Sequence, residues 1–229
     1  MFLAAPSWMP LALAAALWLA LLVDRWLGEP PARWHPVVWM GRYLGGVGQR
    51  LAPQRLQPAG PDYRRLGLGA LAWCAGAALV LIVSILLQTL LLAWHPLLGA
   101  LALGLLLKPL LAWRMLHDEV QAVEQALGQS LVAGRERMAW LVSRDVSTLS
   151  EAEVRESAIE SLAENLNDSV VAPVFWFLLL GLPGAALYRF ANTADAMWAI
   201  AASTAGRSGS GPANGPHAPM TCFPGCRHG

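Results

Sequence analysis

The chain has 229 residues, of which 56% are hydrophobic and only 14% are charged, whereas soluble domains carry about 25% charged residues. This balance favours a membrane protein over a soluble domain. The net charge of +1 and the three scattered cysteines argue against nucleic-acid binding and against a secreted disulfide framework.

Three apolar stretches approach or exceed the roughly 20 residues that cross a hydrocarbon core. They lie at about 8–26, 66–94 and 96–115. The second and third form a hairpin broken at His95-Pro96, because proline lacks an amide donor and disfavours helix at the preceding residue. The sequence therefore predicts an all-α fold, a polytopic membrane helical bundle.

Arginines indicate the orientation of this bundle. Seven of them, from Arg25 to Arg65, follow the first apolar run, which ends at Val23, and none lies in the turn between the second and third spans. Because positively charged loops stay inside, we expect a multi-pass protein of the cell inner membrane with its polar loops in the cytoplasm. Cytoplasmic amphipathic helices are expected at 116–127 and 131–142, and a capping box of Ser150 and Glu153 predicts another helix start.

A fourth apolar run covers 170–188, but prolines and glycines interrupt it. Two interpretations remain open. The run spans the membrane, or it forms a re-entrant pair of half-helices whose backbone is covered by protein or water.

Acidic residues recur at intervals of four before this run, at Glu156, Glu160, Glu164 and Asp168. This spacing places them on one helical face. One interpretation is a solvated surface. The other is a cation site at Glu164 and Asp168, because carboxylate oxygens suit Mg²⁺ carried with a nucleotide phosphate better than they suit zinc.

Further polar residues have both structural and functional interpretations. The structural interpretation of Arg144-Asp145 is a local ion pair and loop cap. The functional interpretation is that Arg144 binds a phosphate or carboxylate. Asp24 at the end of a span is costly unless it faces a polar site or pairs with Arg25. His35 lies in a loop, where histidine is more often structural than catalytic. No glycine-rich phosphate loop with Lys and Ser/Thr is present, which excludes a P-loop ATPase.

Three segments resemble the CobD/CbiB family, also called adenosylcobinamide-phosphate synthase. They read DRWLGEPPARWHPVVWMGR, SRDVSTLSEAEVRESAIESLAENLNDSVVAPVFWFLL and NTADAMW. The resemblance covers Leu21 to Trp198. The sequence departs from the family at Ser169, where Gly is usual, and at Glu29, where Asp is commoner.

The resemblance implies an ATP-dependent amide ligation within cobalamin biosynthesis. A propionate of adenosylcobyric acid would be activated, as an acyl phosphate, and captured by the amine of aminopropanol or its phosphate. The expected cofactors are ATP and Mg²⁺. The expected partners are the two substrates, membrane lipid and a threonine-phosphate decarboxylase, with no nucleic acid.

Candidate site residues follow from this resemblance and from the chemistry above. The catalytic candidates are Arg144, Asp145, Glu160, Glu164, Asn165 and Asp168, the last of which shares the proposed Mg²⁺ with Glu164. The substrate-binding candidates are Asp24, His35, Arg42, Asn192 and Asp195.

The family-like membrane domain is expected to cover 1–198. The remainder, 199–229, departs from the family and has a composition typical of a disordered tail. Codons for PMTCFPGCRHG, read one nucleotide earlier, can encode DDVLSWLPAR, a segment that the family has. We therefore expect a frameshift just after Trp198, which would make His217, Cys222, Cys226 and His228 accidental neighbours and would put the activity of this copy in question.

Two other classes of function compete with the ligase. Hydrophobicity alone also fits a transporter or permease subunit, and a noncatalytic scaffold for corrin enzymes is a third class. Only Lys108 is charged well inside a predicted span, away from its ends, while most acids collect in the loops. Since transport pathways favour ionisable residues inside the membrane, this distribution favours an enzyme at the membrane face.

Overall fold

A computed structural model describes residues 7–51, 63–142 and 144–207, with side chains described as far as Trp198. All regular elements in these ranges are helical, which confirms the all-α prediction. The α-helices are α1 (Met9–Leu27), α2 (Pro36–Leu51), α3 (Tyr63–Trp94), α4 (Pro96–Leu107), α5 (Trp113–Leu127), α6 (Leu131–Met138), α7 (Glu151–Leu166), α8 (Ala172–Leu180) and α9 (Leu182–Arg207). Short 3-10 turns lie at Ala32–Trp34 and Lys108–Leu110, and a π-helical turn joins α7 to α8 at Asn167–Val171.

Three helical stretches of the described chain are long and apolar enough to cross a membrane: Met9–Leu27, Tyr63–Trp94 and Pro96–Leu127. The protein is therefore a polytopic membrane bundle, and the first two predicted spans are confirmed. The third differs from the predicted single helix at 96–115. Its regular helix ends at Leu107, because Pro109 cannot donate the next helical hydrogen bond. The chain then bends at Ala112 before α5 begins.

Helices α1 and α4 run side by side in the same direction and share the most extensive helix–helix interface of the described residues. The face of α1 towards α4 carries Ala12, Ala16 and Ala20, all buried. A Cβ atom at Gly104 would lie 2.7 Å from the carbonyl oxygen of Ala16, so only glycine permits this approach. Small residues are the usual means of bringing membrane helices together. The packing places the last turns of α1 and α4 next to each other.

The apolar run at 170–188 turns back on itself and does not form one spanning helix. The helix that ends at Leu180 is continuous with the π-helical turn and α7, but its apolar part runs only over 169–180, about 18 Å, which is too short to cross the hydrocarbon core. The chain reverses at Gly181, and the amide of Leu182 donates a 2.7 Å hydrogen bond to Oε1 of Gln88 on α3. The re-entrant alternative, with its freed backbone group covered by protein, therefore matches the structure.

Gly181→Ala is expected to destabilise this hairpin by about 1–3 kcal/mol or more. Gly181 has φ 70° and ψ −155°, a region that is essentially restricted to glycine, and an added Cβ atom would also collide with the Gln88 side chain. Thermal unfolding in detergent measures the effect. Gly46→Ala in α2 is the matched control, because a Cβ atom there meets nothing within 4 Å. Equal stability of the two variants would contradict the prediction.

A separate polar lobe is formed by α5, α6 and α7. These helices bury a small apolar cluster that includes Val123, Met138 and Val154. The capping box at the start of α7 is confirmed: the Ser150 amide donates to Glu153 and the Glu153 amide donates to the Ser150 hydroxyl. The Ser150 hydroxyl and the Ser150 amide both donate to Oε2 of Glu153, and these two hydrogen bonds hold the pKa of the Glu153 carboxyl below its usual range. Helix α5 begins slightly earlier than predicted, and α6 ends at Met138 instead of 142.

Helix α9 continues beyond the predicted end of the family-like domain. It runs to Arg207, so the expectation of a disordered tail is wrong for 199–207. Alanine-rich sequence after Trp198 has high helix propensity, which outweighs the compositional signal of the whole tail. The four His and Cys residues of the tail lie outside the described residues, and the frameshift stays a prediction.

Candidate functional site

A buried ion-pair cluster lies where α1 and α4 end. Nζ of Lys108 is 3.2 Å from Oδ1 of Asp24 and 3.1 Å from Oε2 of Glu29. The same Glu29 oxygen is 3.1 Å from Nε2 of His35. Asp24 and His35 are fully buried, and Lys108 is 4% exposed. Charges withdrawn from water to this degree are stable only when they are paired, and these side chains pair with each other.

The backbone holds this cluster in place from three directions. The close packing of α1 on α4 sets Asp24 opposite Lys108. His35 stands at the start of α2, immediately before Pro36. The bend after α4 leaves the Arg114 amide free of a helical partner, and this amide donates a 3.2 Å hydrogen bond to Oδ2 of Asp24. The bend that interrupts the predicted third span thus supplies one contact of the site.

A second polar cluster surrounds Asp168 in the π-helical turn. Its Oδ2 accepts a 3.0 Å hydrogen bond from Nδ2 of Asn192, and its Oδ1 accepts bonds from Tyr188 at 3.4 Å and Asn167 at 3.2 Å. A π-helical turn holds more residues than an α-helical turn, so it breaks the four-residue register of the acidic face. Asp168 therefore contacts α9 and departs from the predicted stripe.

Arg189 is the cation of this second cluster. It is 5% exposed, and its Nη1 donates to Oγ of Ser169 at 3.0 Å, to the Asp168 carbonyl oxygen at 3.2 Å and to Oδ1 of Asn192 at 3.3 Å. Glu29 of the first cluster attracts Arg189 through space, without contact, and less strongly than Asp168 does.

The chain itself bridges the two clusters. The Ala112 amide donates to the Ser169 carbonyl oxygen at 3.2 Å, two residues before Arg114 reaches Asp24. We refer to the combined set as the polar centre. It comprises Asp24, Glu29, His35, Lys108, Asp168, Ser169, Tyr188, Arg189 and Asn192. Four sequence-predicted site residues, Asp24, His35, Asp168 and Asn192, meet in it.

An apolar cavity of about 580 Å³ borders the polar centre at Lys108. It lies between α2, α3, α4 and α9, and its walls include Trp39, Tyr43, Val80 and Phe190. The centre therefore has an apolar recess on one side. On the other side it approaches the surface through the exposed Asn167.

Arg144 and Glu160 meet at a different place, on the exposed side of the polar lobe. Nη2 of Arg144 donates to Oε2 of Glu160 at 2.9 Å and to Oγ of Ser157 at 2.6 Å. Asp145 does not pair with Arg144. It accepts the Ser147 amide at 2.9 Å, and this hydrogen bond lowers the pKa of the Asp145 carboxyl. The geometry fits the loop-cap interpretation of Asp145, while Arg144 joins the acidic face of α7.

The remaining predicted residues are dispersed. Glu164, Arg42 and Asp195 are exposed, and Nδ2 of Asn165 donates to the Ser161 carbonyl oxygen within α7 at 2.7 Å. Within the described ranges, no group of three or more His, Cys, Asp or Glu residues is arranged to hold a metal ion. The structure therefore provides no preformed cage for Mg²⁺.

Sequence reasoning missed Glu29, Lys108, Ser169, Tyr188 and Arg189 as site residues. Lys108 carried a usable signal, because an ionisable residue within a span is a functional candidate by default. Arg189 had a weaker one, as the first charge after the interrupted apolar run. The partners of both become visible only when the helices are assembled.

The fold and the polar centre define a class: a polytopic helical membrane protein with a buried, charged site at one end of its spans. Within this class, the family model described as CobD/Cbib protein matches residues 17–214, and the chain belongs to that family. The match continues past Trp198, where the sequence resemblance was placed to end. No solved structure was found to match the chain.

Curated relatives are similar over most of the chain. "Cobalamin biosynthesis protein CobD" of Chromobacterium violaceum is 44% identical over 181 residues, which is 79% of this chain and 56% of the relative. The protein of the same name from Brucella suis is 41% identical over 188 residues, 78% of this chain and 55% of the relative. The chain thus spans little more than half the length of these relatives.

Proposed function

We propose that the chain acts in cobalamin biosynthesis as a membrane enzyme that joins aminopropanol, or its phosphate, to a propionate of adenosylcobyric acid. The product is adenosylcobinamide or its phosphate. One observation carries the proposal: the three family-like segments are separate in sequence but contribute to one polar centre. Asp24 and His35 come from the first segment, Asp168 from the second and Asn192 from the third.

The chemistry of the polar centre supports an acyl transfer. Activation of a carboxylate by ATP places negative charge on phosphate oxygens, and buried cations stabilise such charge more strongly than exposed ones. Lys108 and Arg189 are two such cations. Carboxylates such as Glu29 are suited to hold the incoming amine close to the acyl carbon.

Mg²⁺ fits this proposal only as an ion that arrives with the nucleotide. Such Mg²⁺ needs one or two carboxylates in addition to phosphate oxygens and water. Glu164 is exposed and offers one carboxylate. Both oxygens of Asp168 already accept hydrogen bonds from neighbouring side chains, which makes Asp168 the weaker of the two candidates.

The proposal extends to location and partners. The Arg-rich loops and the polar lobe would face the cytoplasm at the inner membrane, where ATP is present. A threonine-phosphate decarboxylase would deliver the amino alcohol phosphate on the same side. Epitope mapping that places the polar lobe on the outer face would refute this orientation, and with it the use of ATP.

A transporter is the second candidate function, because Asp24 and Lys108 form a buried ion pair at the end of two spans. Such pairs also occur along ion and substrate pathways. Uptake of labelled cobyric acid into vesicles distinguishes the two functions. Accumulation without amide formation favours transport, and amide formation in detergent favours the ligase.

Genetic complementation tests the ligase directly. A bacterial strain blocked between cobyric acid and cobinamide is supplied with this chain or with a version whose frame is restored after Trp198. We expect growth with the restored version. Failure of that version to support growth, although it is present in the membrane, would contradict the proposed reaction.

Glu164→Gln in the restored version is expected to lower the ligation rate by about 10–100-fold, the usual cost of weakening a metal site. The measurement is product formation over a range of Mg²⁺ concentrations. Excess Mg²⁺ is expected to recover part of the loss, because the remaining ligands still bind the ion. Glu136→Gln, which changes another carboxylate of the polar lobe, serves as the control. An unchanged rate for Glu164→Gln would remove this residue from the site.

A further inference from the structure

Arg189 is a buried charge without a direct counterion. Its Nη1 contacts three neutral oxygen atoms, and its Nε has no hydrogen-bond partner. Within residues 7–51, 63–142 and 144–198, no carboxylate oxygen lies within 4.0 Å of its guanidinium nitrogens. Every other buried charge of the polar centre has a direct ionic contact.

This arrangement is unfavourable unless something else supplies the negative charge. Arginine stays protonated even when it is buried, so it cannot escape the cost of desolvation by losing a proton. The two nearest acidic groups, Asp168 and Glu29, attract Arg189 through space but make no ionic contact with it. Asp168 accepts hydrogen bonds from Tyr188 and Asn192, and Glu29 contacts Lys108 and His35.

We infer that Arg189 binds a phosphate group of a substrate. The unpartnered Nε and the neighbouring amino nitrogen form the planar fork that pairs with two oxygens of a phosphate. Ser169 and Asn192 fix this fork from the opposite side through Nη1. The partners of Nη1 are neutral, so they position the Arg189 guanidinium without neutralising its charge. The charge therefore remains available for a ligand. The inference rests on the proposed function only for the origin of the phosphate, a nucleotide or an amino alcohol phosphate.

Binding of inorganic phosphate to the detergent-purified chain tests the site without any need for ligation. At about ten times the dissociation constant, phosphate is expected to raise the melting temperature of the wild-type chain by about 3–6 °C relative to chloride of equal ionic strength. Arg189→Gln is expected to lose this shift. Arg155→Gln, an exposed arginine on α7, is expected to keep it.

If Arg189→Gln does not fold, the Arg189→Lys variant tests the phosphate site in its place. Lysine keeps the charge but lacks the fork, so the phosphate affinity is expected to fall about tenfold, or 1.4 kcal/mol. The inference is overturned if phosphate does not stabilise the wild-type chain, or if both Arg189 variants bind phosphate as the wild type does.

Kinetics with the frame-restored version identify the source of the phosphate. The Arg189→Lys variant of this version is compared with its unsubstituted form. A raised KM of the variant for aminopropanol phosphate, with an unchanged KM for aminopropanol, assigns the site to the amino alcohol phosphate. A raised KM for ATP with either amine assigns it to the nucleotide. If no ligation occurs but phosphate binding still depends on Arg189, the proposed function fails and the binding site stands. If ligation and phosphate binding are both insensitive to Arg189, the inference fails and the ligase stands.

Discussion

Lys108→Met is expected to lower the free energy of unfolding by about 3–5 kcal/mol. Lys108 is the direct cationic partner of both Asp24 and Glu29, at 3.2 and 3.1 Å. Its removal leaves two carboxylates in a buried environment, one of them with no exposed surface at all. An unpaired buried charge costs more than the pair contributes, so the loss exceeds that of an ordinary surface ion pair.

A double variant separates this charge effect from a loss of packing. Asp24→Asn combined with Lys108→Met removes one charge of each sign and is expected to recover about 1–3 kcal/mol relative to Lys108→Met alone. Arg155→Met is the control for an exposed arginine that pairs with Glu124, and it should cost no more than about 1 kcal/mol. Denaturant unfolding in detergent measures all three variants. If Lys108→Met costs no more than the exposed control, the ion pairs do not hold the helix ends together.

Local signals were sufficient to predict much of the helical architecture. Proline after His95 marks the break between α3 and α4, and Ser150 with Glu153 marks the start of α7. These signals act within a few residues, so the sequence alone reveals them. The third span was predicted as one continuous helix because its apolar residues continue past Pro109. Hydropathy does not detect the helical hydrogen bond that is lost at a proline.

The candidate site was only partly predictable, because long-range packing assembles it. Residue chemistry indicated Asp24 and Asp168, and the resemblance added His35 and Asn192. It also supplied Arg42 and Asp195, which the structure leaves exposed. The acidic face of α7 was extended to Asp168 on the assumption of continuous α-helix. The π-helical turn breaks that register. The contacts between this turn and α9 are long-range, so the local sequence pattern does not reveal them.

The polar centre also explains why the apolar run at 170–188 is broken. A continuous spanning helix would carry Arg189 away from Asp168. The reversal at Gly181 returns α9 along α8, so that Tyr188, Arg189 and Asn192 reach the π-helical turn. Gln88 covers the backbone amide that the reversal exposes. Hairpin and polar centre are therefore two consequences of the same turn.

Asp168→Asn tests this view and is expected to lower the free energy of unfolding by about 2–3 kcal/mol. The substitution keeps the size of the side chain but replaces the carboxylate with one neutral acceptor oxygen and one amide donor, so Tyr188 and Asn192 can no longer both donate to this side chain. Hydrogen bonds to charged groups also contribute more than those to neutral ones. It also removes the nearest carboxylate from the buried Arg189. Glu164→Gln, at an exposed position one turn earlier, is expected to change stability by less than about 0.5 kcal/mol. Denaturant unfolding of the two variants in detergent compares them directly. Equal stability would mean that Asp168 belongs to the solvated acidic face after all, and that Arg189 does not depend on its charge.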